Sequence, residues 1–293
     1  MANFRRWAKK NNSKLAAGVF ILTLILNNFF DFPRLWGQIP LSWVFTVAFI
    51  VAFNLHLIPQ YWAKVWIPIK YGFKQPSKDN YTVKNDYILP FSGKWCVFEG
   101  GVTKELSAGW SELMIRYAYF FAMLDESGKD NLCYGMDVLA VGDGVVVKVI
   151  NRHSDSTNNK EEDMAAYIGT ADIMGNHIII QHGKNEYSCV GNLMKDSISI
   201  KVGDKVKQGA VIAKCGNSGY IADEPSLHFQ LQSGKSFNSS ASLPIAFANI
   251  KAEDSTAYDL AYKLETRPST KGNLEVVGNK TYIGRGLDVE NKE

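Results

Sequence analysis

The stretch GNHIIIQHGKNEYSCVGNL, residues 175–193, decides the fold because it encodes a β-hairpin. Apolar residues dominate its first half, and Gly183-Lys184-Asn185 is a tight-turn signal before a second strand from Glu186 to Leu193. Strands this short, with glycine turns between them, favour an antiparallel β-sandwich or barrel over βαβ units. The other segments with this pattern are 144–150, 197–200, 202–206, 209–213 and 227–231.

Composition excludes several classes of protein. The 293 residues are 46% hydrophobic and 12% aromatic, which rules out a disordered or fibrous chain. The net charge is +3, and five basic residues fall within residues 1–14, so the rest of the chain is close to neutral. A near-neutral body lacks the basic surface that nucleic acid requires, and we predict no nucleic-acid partner.

Two apolar segments follow this basic tail. Residues 15–30 and 39–58 approach the length of a membrane-spanning helix, and together they predict a membrane anchor over residues 15–58. A cleaved signal peptide is the alternative for the first segment, but no small-residue cleavage site follows it. Lysine and arginine counts favour a helical hairpin with both ends in the cytoplasm, whereas a single span places the large domain outside. Residues 59–88 then serve as a juxtamembrane linker.

The four cysteines suggest no metal or redox motif. Cys96, Cys133, Cys189 and Cys215 are widely spaced and form no C-x-x-C pair. Buried thiols are the default interpretation, and two disulfides are the alternative for a domain outside the cell.

A set of motifs between residues 89 and 250 resembles one enzyme family. The hairpin at 175–193 is followed by IKVGDKVKQG at 200–209, AKCGNSG at 213–219 and PSLHF at 225–229, and residues 135–146 precede it. Together these motifs are similar to those of the lysostaphin-like (LytM-type) zinc metallopeptidases, which cut peptidoglycan cross-bridges. The resemblance implies their duplicated hybrid motif fold over residues 89–250. It leaves 251–293 as a C-terminal tail, in which residues 257–264 are expected to form one short helix.

The resemblance also implies a zinc site. In the family, a His and an Asp from an H-x-x-x-D segment and the second His of an H-x-H bind one zinc ion. Three protein ligands with an open water position form a catalytic zinc site. Two further histidines position and deprotonate the water whose pKa the metal lowers.

Most of these groups are replaced in this chain. In the segment before the hairpin, the degenerate site positions implied by the resemblance are Ala108, Arg116 and Phe120, of which Phe120 replaces an Asp. The two water-activating histidines are replaced by Asn192 and Ser226. His228 alone remains of the implied metal ligands, hydrogen-bonded, we expect, to Asn192, Ser226 or a backbone group. We therefore predict no cofactor and assign no catalytic residue.

One alternative set of side chains could still bind zinc. Cys133-x-Gly135-x-Asp137 imitates an H-x-G-x-D motif and would supply two ligands beside His228. However, Asp137 lies closer to the turn at Asp143 than the family's ligand Asp does, which argues against this site.

The favoured hypothesis is a catalytically degenerate, membrane-anchored binding or regulatory module. Its groove, with Asn192, Ser226 and His228 as candidates, would recognise a protein partner or a cell-wall peptide. An active zinc endopeptidase with displaced ligands is the main alternative, and a lipoyl- or biotin-type carrier is a third. The predicted location is the bacterial cell membrane, as a multi-pass protein with two helices and the side of the large domain open.

Overall fold

The computed structural model describes residues 11–57, 59–128, 132–156, 172–219, 224–264 and 270–292. The predicted basic tail therefore lies mostly outside the described residues. Within them, three helices precede a β-rich body and a fourth lies near its C-terminal end. These helices are α1 (Asn12–Phe29), α2 (Leu41–Leu57), α3 (Pro59–Lys70) and α4 (Thr256–Leu264). Helix α4 corresponds to the short helix expected at 257–264.

The body consists mainly of antiparallel sheets, as predicted. Along the described residues the strands are β1 (Arg34–Leu35), β2 (Ile39–Pro40), β3 (Trp95–Glu99), β4 (Tyr119–Ala122), β5 (Asp137–Leu139), β6 (Gly144–Ile150), β7 (Asn176–Gly183), β8 (Glu186–Leu193), β9 (Lys205–Val206), β10 (Val211–Lys214), β11 (Leu227–Gln232), β12 (Ser242–Leu243), β13 (Phe247–Ala248), β14 (Ile250–Asp254), β15 (Glu275–Val277), β16 (Lys280–Tyr282) and β17 (Leu287–Asn291). The largest sheet has the strand order β14-β17-β3-β4-β11-β8-β7-β6-β9, with β12 paired to β11.

The predicted hairpin forms as expected. Strands β7 and β8 pair with Gly183 opposite Glu186, so two residues make the turn. Asn185 occupies the left-handed region at φ 66°, which asparagine tolerates better than most residues. The expected strand at 197–200 is wrong, because Ser199 donates both its N–H and its hydroxyl to the single carbonyl of Ile212 and no ladder develops.

The main sheet is buried on both faces. On β11, Leu227, Phe229 and Leu231 point into the first core, which fills the space between this sheet and the β5–β10 pair. The intervening His228, Gln230 and Gln232 point to the second face. This alternation decides which side of the sheet carries the candidate site.

The second face is covered by other parts of the same chain. A second, smaller core there contains Ile67 from α3, Met114, Met174 and Phe237, packed against Ile179 and Cys189 of the sheet. Helix α3 belongs to the stretch that the sequence suggested as a linker. Its Ile67 is completely buried, so this part of the stretch packs on the β body.

The predicted pair of membrane spans is wrong. No helix in the described part of the chain combines the length and the apolar character that a bilayer crossing demands. Helix α1 has 18 residues but includes Asn12, Lys14, Asn27 and Asn28, and α2 has only 17 residues. At 1.5 Å per residue, 17 residues reach about 26 Å, less than the hydrocarbon thickness of roughly 30 Å. The multi-pass membrane location is corrected accordingly.

Helices α1 and α2 pack against each other through polar groups as well as rings. The hydroxyls of Thr23 and Thr46 are hydrogen-bonded at 2.6 Å, and Ser42 donates to the Asn27 side chain at 2.8 Å. The rings of Phe20 and Trp43 meet edge to face at 5.1 Å.

The residues after 250, which the sequence suggested as a tail, contribute two strands to the main sheet. Strand β17 lies between β14 and β3 and pairs with both. Leu287 and Val289 of β17 are buried in the first core. The C-terminal residues thus pair with the first strand of the body.

Candidate functional site

Phe120 and His228 face each other on neighbouring strands. They are direct cross-strand partners on β4 and β11, and their rings meet edge to face with centroids 4.9 Å apart. Phe120 is therefore in contact with the imidazole beside which the family resemblance implied a carboxylate. An aromatic ring offers neither charge nor a lone pair to a metal ion.

His228 is a neutral side chain that is hydrogen-bonded to the side-chain amide of Gln230. Only 4% of it is exposed, and its Nε2 lies 3.3 Å from Oε1 of Gln230, two residues along the same strand face. The expected partner was Asn192, Ser226 or the backbone, so the hydrogen bond to Gln230 is a correction. Burial, which disfavours the charged form, lowers the pKa of His228 to about 4.

Asn192 and Ser226 are brought together at the end of β8. The Asn192 amide nitrogen donates to the Ser226 hydroxyl over 3.2 Å, and the Asn192 backbone adopts φ 60°. Asn192 is buried, whereas Ser226 is partly exposed. The serine hydroxyl and the His228 imidazole are thus each paired with an amide side chain, an arrangement unlike that of a Ser-His nucleophile.

The chain's own backbone closes over this site. Gln230 donates its amide to the carbonyl of Met114 at 3.0 Å, which fixes the 113–115 segment on the second face. At Gly191, directly opposite His228 on β8, an added Cβ would lie 2.8 Å from the Cβ of Met174. Glycine at this position permits the close approach of Met174 that covers the strand.

Two other predicted positions lie in a neighbouring loop, where Arg116 bonds within the loop and Ala108 bonds to the end of β3. Arg116 donates from Nε to the carbonyl of Trp110 at 2.9 Å and stacks on the Trp110 ring at 4.9 Å. The backbone N–H of Ala108 donates to the Glu99 carboxylate. Arg116 therefore serves to shape this loop.

The alternative ligand set is not assembled. Cys133 packs in the first core, whereas His228 points to the second face of the sheet. Asp137 is half exposed and forms an ion pair with Lys214 at 2.9 Å. The three side chains proposed to share one metal ion therefore have separate surroundings.

The side chains present do not fit a zinc ion. Across the described residues, no three His, Cys, Asp or Glu side chains cluster in a way that would hold a metal. A catalytic zinc needs three such ligands, and His228 has an aromatic ring and amides around it. No chemical step through a metal can be built on these residues.

Comparison with known proteins identifies the domain. Residues 127–239 match the model of peptidase family M23. The chain carries an M23 domain. No curated protein matches the chain in sequence.

Several solved structures are similar to part of this chain. The catalytic domain of the prophage-encoded M23 protein EnpA from Enterococcus faecalis is 16% identical, with 58% of this chain and 93% of that chain covered and a TM-score of 0.31. The catalytic domain of lysostaphin from Staphylococcus simulans is 21% identical, with coverages of 56% and 90% and a TM-score of 0.29. A chain of the SpoIIIAH–SpoIIQ complex is 18% identical, with coverages of 54% and 96% and a TM-score of 0.35.

The M23 domain also contains a polar cluster around the buried Asp172 that sequence reasoning missed. Asp172 accepts hydrogen bonds from Arg152 and from His153, the latter at 3.3 Å, and Lys148 lies 3.8 Å away. Burial alone would raise the pKa of Asp172, but the bonds from His153 and Arg152 outweigh it and hold the pKa below its usual value. Only 10% of the His153 side chain is exposed, although the sequence around it is rich in charged residues.

The neighbouring His177 is also buried and neutral. Burial lowers its pKa to about 4, and its Nδ1 lies 2.8 Å from the carbonyl of Gly175. The alternation of β11 could have revealed Gln230, since it shares the His228 face. No sequence signal could have paired His153 with Asp172, because 19 residues separate them.

Proposed function

We propose that this chain is a catalytically degenerate M23 protein that acts as a binding or regulatory module for a protein partner or a cell-wall peptide. The observation that carries this proposal is the edge-to-face contact between Phe120 and His228. A metal ion cannot share that space with the phenyl ring, and a neutral His228 bonded to Gln230 has its Nε2 already engaged.

Loss of the metal shell leaves the scaffold intact. The β11 strand is held by ladders to β4 and β8 and by apolar side chains in the first core. These interactions are independent of any ion, so the domain can keep its shape for recognition after the chemistry is lost. A fold that survives without its metal is a suitable starting point for a binding module.

The burial of the site refines how such a module would work. His228 and Asn192 are almost completely buried, so a partner meets neither side chain directly. Ser226 is the partly exposed member of the three groove candidates. In this proposal the buried pair sets the shape of the groove and Ser226 lies at its rim.

Metal analysis of the purified full chain tests the loss of catalysis. We expect far less than one zinc per chain, the same content in His228→Gln, and no hydrolysis of cross-bridge peptides with added Zn²⁺. Lysostaphin in the same assay is the positive control. Stoichiometric zinc that is lost in His228→Gln, or hydrolysis that a chelator stops, would overturn the proposal and restore the peptidase alternative.

Binding is measured separately with defined probes. Purified peptidoglycan in a sedimentation assay and a fluorescent cross-bridge peptide test the cell-wall branch. We expect saturable binding that a chelator leaves unchanged, with the peptide recovered intact. Ser226→Trp should weaken it, whereas Val276→Trp, on an exposed strand outside the M23 match, should not.

A further inference from the structure

The thiols of Cys133 and Cys215 lie side by side in the first core. Their sulfur atoms are 3.3 Å apart, although 82 positions separate the residues along the chain. Both side chains are completely buried, and all four cysteines are in the thiol form. Two thiols so close in space and so distant in sequence define a covalent link that the fold permits.

The backbone holds these two residues together. Gly135 donates its N–H to the carbonyl of Cys215, and Cys215 donates its own N–H to the carbonyl of Met136, both at 2.8 Å. Cys215 also forms a β-bridge with Leu193 of β8. These hydrogen bonds hold the main chains that carry the two cysteines close together.

We propose that Cys133 and Cys215 form an intramolecular disulfide when the chain folds in the presence of a low-molecular-weight disulfide. A disulfide bond is about 2.05 Å long, so each sulfur would move by roughly 0.6 Å. The link would tie the segment before β5 to the end of β10, next to Gly216, whose N–H donates to the carbonyl of Asn192. It would thus brace the strand end that carries the candidate site.

The reaction is two successive exchanges. A Cys133 thiolate attacks one sulfur of the small disulfide, a Cys133–small-molecule bond forms, and the first small thiolate leaves. The Cys215 thiolate then attacks the Cys133 sulfur and releases the second small thiolate. The two protein thiols are oxidised, the small disulfide is reduced to two thiols, and these take up the two protons.

The burial of the two thiols determines when the exchange can occur. The hydrogen bond with Cys133, followed by burial, raises the pKa of the Cys215 thiol, so the folded protein offers little of the reactive thiolate. Exchange is therefore faster during folding, before the core closes, than in the native protein.

The other two cysteines provide an internal control. Cys96 lies on β3 and Cys189 on β8, with β4 and β11 between them in the sheet. Three strand spacings amount to about 14 Å, beyond the reach of a disulfide. Cys189 instead contacts the Met174 sulfur at 3.6 Å. Neither residue is expected to be oxidised.

The test is a thiol map of the full chain after refolding in an oxidised and reduced glutathione buffer. The refolded protein is denatured, alkylated and digested for mass spectrometry. We expect only Cys96 and Cys189 to be alkylated, and one pair of peptides to be linked through Cys133 and Cys215. Before alkylation, the mass of the refolded chain should be about 2 Da lower than that of the fully reduced chain. The Cys96→Ser/Cys189→Ser variant should form the same link, and folded protein placed in the same buffer should form it more slowly.

Three results would overturn the proposal. They are four alkylated cysteines after oxidative refolding, a link between any other pair, and a persistent glutathione adduct on Cys133 without the 133–215 link. The map is made on the unsubstituted chain, so the conclusion does not depend on whether a Cys133→Ser or Cys215→Ser variant folds.

Discussion

At the scale of single residues, one substitution changes the electrostatics of the site. A carboxylate beside His228 would favour the charged imidazole or a cation, whereas the Phe120 ring contributes no charge and excludes water. Burial then dominates and leaves His228 neutral. Burial also keeps His177 neutral, and the positive charge of Lys148 lowers the pKa of His177 further.

The buried histidines predict an acid-sensitive fold. An unfolded histidine titrates near 6.5, whereas the pKa values of His177 and His228 are about 4 in the folded chain. Between these values the unfolded state binds more protons, so the free energy of unfolding should fall as the pH drops from about 6.5 to 4. Well above pH 6.5 both states are neutral and these residues contribute no pH dependence.

Urea unfolding of the wild type and of His228→Gln across this range measures the effect. The substitution should remove up to about 3 kcal/mol of the pH-dependent loss. His177→Asn should remove a second, separate portion. Identical pH slopes in the wild type and in His228→Gln would contradict the assignment of a depressed pKa to His228.

At the scale of elements, the stretch before the body is secured by one carboxylate. Glu186, buried at the start of β8, accepts hydrogen bonds from the hydroxyls of Tyr81 and Tyr87, the Asn85 amide and the Lys84 N–H, at 2.7–3.0 Å. Burial, followed by the bond to Glu186, raises the pKa of Tyr81. Residues 81–87 are therefore fixed to the tip of the central hairpin.

Glu186→Gln should loosen this attachment. The amide places a donor where four donors converge, and we expect a loss of about 2–4 kcal/mol in the free energy of unfolding. Faster limited proteolysis near residues 81–87 should accompany it. The control is Glu253→Gln, which breaks an exposed ion pair with Lys94 and should change neither readout measurably. Equal behaviour of the two variants would show that Glu186 does not hold the segment.

At the scale of the whole molecule, the two ends of the body are joined. Arg285 donates to both oxygens of the Glu99 carboxylate at 3.1–3.2 Å and to the carbonyls of Glu105 and Thr270. Asn291 exchanges hydrogen bonds with the backbone of Leu89 and donates to the carbonyl of Phe91. The last strand, β17, is thereby held in the sheet next to β3, the first strand of the body.

Asn291→Ala tests this closure. Removing three hydrogen bonds to the backbone should lower the free energy of unfolding by about 1–3 kcal/mol in a single cooperative transition. Glu290→Ala, one residue earlier on the same strand, loses only a surface ion pair with Lys251 and should have little effect. A separate early transition in Asn291→Ala would mean that the C-terminal strands unfold independently of the M23 domain.

The sequence alone determined the local features of this protein. A two-residue turn and side chains that alternate between the two faces specify the β7–β8 hairpin from residues 175–193 without distant contacts. Each M23 motif is likewise a short run of neighbouring residues. The identities at 120, 192, 226 and 228 were likewise read from motif spacing. Spacing alone failed for the N-terminal helices, where runs of apolar residues were taken for spans that the helices are too short or too polar to make.

The tertiary structure decided what depends on distant partners. Strand β17 pairs with β3 across more than half the chain, and its alternating charged residues gave no sign of a central strand. Met114, Met174 and Ile67 cover the second face of the sheet, which makes His228 a buried, neutral residue. Burial and desolvation arise from segments far apart in sequence, so a residue's identity cannot by itself disclose its charge state or its neighbours.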